Sequence, residues 1–96
     1  MYVCACHLDL LLLDKPDSLK GKRHVVKSLK ERLRSRFGIS VAEVGSQDLL
    51  HRSEIGIAFV GERRDVLESV LDQILHQIEC QGSVEIMAST IDFQQY

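Results

Sequence analysis

The chain has 96 residues, 45% hydrophobic and 27% charged, with a single Pro; this is the make-up of one globular domain spanning 1–96, and it excludes a disordered tail or a linker. The longest unbroken apolar run, Leu10–Leu13, is far short of the ~20 residues that cross a membrane. The net charge of −2 hides a segregation: residues 20–36 carry eight basic side chains against Glu31 alone (net +7), and the rest carries four basic against thirteen acidic (net −9).

Residues 2–13 read as a strand. Tyr2, Cys4, Cys6, Leu8, Leu10 and Leu12 form one apolar face, and His7 and Asp9 mark the other. The same residues do not read as an export signal, because His7 and Asp9 interrupt them and no Lys or Arg precedes the apolar stretch. Three Cys without such a signal fit free thiols in a reducing compartment, so a cytoplasmic protein is expected.

Asp14-Lys15-Pro16-Asp17 is a turn, and Ser18 is suited to cap a helix. Leu19, Val26, Leu29, Leu33 and Phe37 then recur at helical spacing, and Gly38 is placed to stop the helix. Residues 39–45 read as a second strand. Residues 46–53 are a polar connection with room for one helical turn at Gln47–Arg52, across which Asp48 would pair with Arg52. Residues 54–61 are a third strand, close enough to the second to pair antiparallel. Val66, Leu67, Val70, Leu71, Ile74, Leu75 and Ile78 define a second helix over about 63–80, stopped near Gly82. A last strand covers about 83–92.

The order βαββαβ predicts an α+β sandwich, a four-stranded antiparallel sheet with two helices on one face. The other face, including Val3, Ala5, Gly56, Ala58 and Val60, has no helix to cover it. Small apolar open faces of this kind serve as dimer or ligand surfaces.

The run Ser18-Leu19-Lys20-Gly21-Lys22-Arg23, the helix Val25–Phe37, Ser40-Val41-Ala42-Glu43-Val44 and Gln47-Asp48-Leu49 resemble the YlxP-like family of small bacterial proteins, a domain of unknown function. The resemblance runs in order over nearly the whole chain. It implies a ferredoxin-like fold and a gene neighbourhood shared with translation-initiation and ribosome-maturation genes, and it brings no catalytic residue. Gly21, Cys4 and the pair Leu50-His51 depart from the family's usual residues.

Lys20, Arg23, Lys27, Lys30 and Arg34 fall within about 80° on a helical wheel at 100° per residue. Aligned cations with no acid among them suit a phosphate backbone, where each contact releases counterions. The alternative is a solvated helix face paired with acids elsewhere on the domain.

Gly56-Ile57-Ala58-Phe59-Val60 resembles the core of an RNA-recognition strand motif, in which aromatics stack bases on the open sheet face. Here Ile57 replaces one such aromatic, and Tyr2 and Phe59 are expected in the core. Cys4, Cys6 and His7 do not share one face, and no second Cys/His pair stands at zinc spacing, so neither a metal nor a cofactor is expected and the thiols read as buried. His7 and Asp9 share a face and would form an acid–base cluster with Glu43 if it lay beside them. No nucleophile or phosphate loop accompanies them. The resulting expectation is a non-enzymatic protein that docks through its first helix on structured RNA, ribosomal RNA or ribosomal precursor particles. A homodimeric regulatory or small-ligand domain using the open face is the second reading, and an enzyme the third; no small-molecule substrate is indicated.

Overall fold

The computed structural model describes Met1–Tyr96. Its elements are β1 (Tyr2–Leu12), α1 (Leu19–Phe37), β2 (Ser40–Gly45), β3 (Arg52–Gly61), α2 (Arg64–Cys80) and β4 (Val84–Gln95). The sheet runs β2-β3-β1-β4 with every neighbour antiparallel. This is the ferredoxin-like α+β arrangement, with both helices on one face.

Each boundary has a local cause. The Ser18 hydroxyl accepts from the Gly21 amide at 3.1 Å and starts α1. Gly38, at φ 62°, ends it by donating its amide to the Arg34 carbonyl at 3.0 Å, a left-handed turn that a residue without Cβ makes freely. Strand β1 alternates strictly: Cys4, Cys6, Leu8, Leu10 and Leu12 are buried under the helices, and the intervening residues lie on the open face. Val26, Leu29 and Leu33 of α1 and Leu67, Leu71, Ile74 and Ile78 of α2 close the core from above. Leu8 and Leu10 are completely buried, and side chains of this kind each stabilise a fold by about 1.5–3 kcal/mol.

Three details differ from the sequence expectation. Segment 46–51 holds no helical turn and no Asp48–Arg52 pair. Ser46 takes a positive φ of 58°, a tight turn follows in which the Leu49 amide donates to the Ser46 carbonyl at 3.1 Å, and the Ser46 and Gln47 carbonyls are occupied by the Lys22 ammonium. Strand β3 begins at Arg52, because Leu11 of β1 extends the ladder that far. Strand β4 continues to Gln95, paired with Tyr2, and the Tyr96 amide closes on the Met1 carbonyl at 2.7 Å.

Two bulges reset the alternation. In the β1–β4 ladder the register shifts between Asp9 and Leu10, with Met87 unpaired, so Val84 and Ile86 before it and Ile91 and Phe93 after it all turn to the helix side. Arg64 of α2 covers the Phe93 ring at 4.9 Å there. In the β2–β3 ladder the shift lies between Glu43 and Gly45. Gly45 is then overlaid by the Glu54 side chain, whose carboxylate leaves no room for a Cβ.

Candidate functional site

On α1 the buried side chains Lys22, Val26, Leu29 and Leu33 centre on one direction, and the cations Lys20, Arg23, Lys27, Lys30 and Arg34 centre about 110° from it. The cationic flank is the one toward β2, because the Arg34 guanidinium donates to the Val41 carbonyl. Arg36 points the other way and donates to Gln77 of α2 at 2.7 Å. Lys20, Arg23 and Lys27 are exposed and Lys30 is half-buried. Lys27 reaches Glu31 only at 4.0 Å. Lys20, Arg23 and Lys30 form no ion pair. Arg34 is set apart: its guanidinium is engaged on the edge strand, leaving four cations free to meet an anion.

Lys22 belongs to a different structure. It is the largest fully buried side chain in the molecule. Its ammonium donates to Glu43 at 2.8 Å and to the Ser46 and Gln47 carbonyls at 2.7 and 3.1 Å, and Ser53 donates to the same Glu43 oxygen at 2.6 Å. A buried charge stands only when paired and hydrogen-bonded, and here every proton of the ammonium has an acceptor. The network ties α1 to the β2–β3 turn and is a structural anchor.

Glu43 therefore does not join His7 and Asp9. It pairs with buried Ile55, which puts it on the helix side of the sheet. Glu54 of β3, which pairs with Asp9 of β1, lies on the open face instead. The His7 imidazole donates to Glu54 at 3.0 Å and the Ser46 hydroxyl donates to its other oxygen at 2.7 Å. Those bonds, Ser46's first, hold the Glu54 carboxyl below the usual carboxylate range. Asp9 lies directly across from Glu54, where like charges repel.

The residues expected on the open face are there. Ala5, Ala58 and Val60 are exposed, and Val3 and Gly56 partly so. Ala5, Ala42, Gly56 and Ala58 floor a shallow depression of about 750 Å³, with Arg34 at its β2 end and Thr90 and Asp92 at its β4 end. Tyr2 and Phe59 pack against the core. The stacking arrangement of an RNA-recognition sheet is absent. Cys4 and Cys6 are buried; burial raises the Cys4 thiol, with Asp92 adding to it, and pushes Cys6 up to about 11, with Cys4 adding to it. Cys80 corrects the expectation of buried thiols. It is exposed at the end of α2, its sulfur 3.3 Å from the His76 ring.

Residues 3–91 match the family model described as "Protein of unknown function (DUF503)". The chain belongs to the DUF503 family. The Bacillus subtilis (strain 168) protein "Uncharacterized protein YlxP" is 37% identical to it over 68 residues, covering 71% of this chain and 74% of the relative. The match to the DUF503 model takes in α1, the Lys22 anchor, all of β2 and β3 and nearly all of β1, and it ends within β4, before Asp92. No helix is long and apolar enough to cross a membrane.

The DUF503 domain also uses residues that the pattern alone did not single out. Lys22 falls on the wheel among Val26, Leu29 and Leu33, a usable signal that was outweighed by its charge. Glu54, Ser46, Thr90 and Asp92 carried no signal, because their roles follow from bulges and strand neighbours.

Proposed function

We propose that this protein is a non-enzymatic docking domain for structured RNA, holding the phosphate backbone with the β2-side flank of α1. The observation that carries the reading is the set Lys20, Arg23, Lys27 and Lys30: four cations on one flank with a single acid, Glu31, near only one of them. They span eleven residues of helix, about 15 Å, which suits several consecutive phosphates. The remainder of the chain carries a net charge of −9, so the positive charge is concentrated on this helix, which orients the encounter. The gene neighbourhood implied by the family resemblance points to ribosomal RNA or ribosomal precursor particles as the partner. Tyr2 and Phe59 pack against the core and offer no base-stacking pair on the sheet, so the contact is to backbone and shape and carries little sequence preference.

The test is binding to ribosomal subunits and their precursors across a salt series. Four phosphate contacts give a log K against log [salt] slope of about −3 to −4. Replacing Lys20, Arg23 and Lys27 with Glu abolishes binding and leaves the fold intact, because none of the three touches the core. Arg34 is left unchanged, since it holds the β2 edge. A wild-type protein that does not sediment with the particles at 50 mM salt refutes the reading.

A further inference from the structure

We propose that the open sheet face is the interface of a symmetric homodimer, with Arg34 of each copy set against Asp92 of the other. The inference is independent of the RNA reading.

One row of residues crosses the sheet at the same height: Ser40, Ala58, Ala5 and Asp92. Arg34 extends this row past Ser40 at the β2 edge, where it lines the same depression as Asp92. The row thus has a cation at one end, an anion at the other and alanines between. That pattern is self-complementary. A two-fold axis parallel to the strands, passing between β1 and β3, exchanges β2 with β4 and β3 with β1. It sets Ala58 over Ala5, Val60 over Val3, and Arg34 over Asp92, each twice. Such an interface is isologous and closes at two copies.

The dimensions fit. The strands contribute 11, 6, 10 and 12 residues, and at about 3.3 by 4.8 Å per residue they give a face of roughly 620 Å². A standard interface takes about 800 Å² from each partner. The small side chains let two sheets approach to the ~10 Å of sandwich packing, and Val60, 63% exposed, gains cover that its own chain does not provide. Asp92 holds only the Gln94 amide and keeps a free carboxylate oxygen. One contact opposes the arrangement: the same axis brings Glu54 toward Asp9 of the second copy. These lie four residues along the strands from the central row, and the roughly 30° rotation between packed sheets moves them laterally by about 6 Å.

Sedimentation equilibrium of the intact chain decides the matter. The expected wild-type mass is twice 10.9 kDa at 100 µM. Asp92→Arg places two arginines together at both ends of the interface and raises the dimer Kd by about 100-fold. Arg34→Asp does the same, and because it also releases the Val41 carbonyl its fold is checked by circular dichroism. The doubly reversed Arg34→Asp/Asp92→Arg chain restores the pairs and returns the Kd to within about tenfold of wild type. Should that double variant unfold, Ala58→Glu, on an exposed position of the same row, gives a folded monomer. A wild type that stays monomeric at 100 µM overturns the proposal, whether or not the groove then takes a small molecule or a peptide. So does a folded double variant no tighter than the single variants.

Discussion

Lys22→Met removes the buried ammonium while keeping most of the aliphatic stem. The side chain is fully buried and Glu43 retains 13% exposure. Breaking a buried pair by deleting one partner costs about 3–5 kcal/mol. The lower end applies here, because Glu43 keeps the Ser53 hydroxyl and some water. About 3 kcal/mol is a large share of the roughly 5–14 kcal/mol expected for a domain of 96 residues, and at about 4–8 °C per kcal/mol it lowers Tm by about 12–24 °C. Lys22→Met/Glu43→Leu, which leaves no unpaired charge, recovers at least half of the loss. Urea unfolding at pH 7 of wild type, both single variants and the double completes the cycle. Below the transition, Lys22→Met binds ribosomal particles within about twofold of wild type, since the ammonium never reaches the surface. A loss under about 1 kcal/mol would refute the reasoning, as it would mean that the ammonium escapes to water.

The Glu54 carboxyl, held below its ordinary value of 4.5 by Ser46 and His7, contributes stability only while ionised. That contribution is complete above its unfolded pKa and is lost as pH falls through the lower folded value. Wild type is thus more stable than Glu54→Gln at pH 6, and the difference closes in thermal melts as pH falls below the ordinary carboxylate range. A difference independent of pH is the contrary result. In thiol labelling at pH 8, Cys80 reacts rapidly with an aromatic disulfide. Cys6, with its thiol pushed up to about 11, and Cys4 react only at the rate of unfolding. Three equivalents of fast reaction in native protein would contradict their burial.

Local signals were strong where the physics is local. The amphipathic period of both helices, the Ser18 and Gly38 caps and the alternation of β1 are written in neighbouring residues, and burial follows them closely. Two connecting helices of this length and one short β2–β3 link then leave few ways to order the sheet, which is why the ferredoxin-like topology was legible. The basic flank of α1 was legible for the same reason, as helical geometry alone aligns it.

What the chain could not announce is who meets whom across it. The partners of Lys22 lie 21 to 25 residues away and those of His7 lie 47 away, so no periodicity links them. Glu43 keeps the helix-side parity of Val41, and Glu54 reaches His7 only because the β1–β3 register sets it across from Asp9, a pairing that no local pattern displays. Arg34 looked like one more cation on the helix, and only the nearby edge of β2 gave its guanidinium a carbonyl to hold. The sequence by itself determined the elements, their inward faces and the place of the positive charge. The tertiary structure decided which charges are buried, which are engaged at an edge and which remain free to bind, because those choices depend on contacts between strands and helices that are distant in the chain.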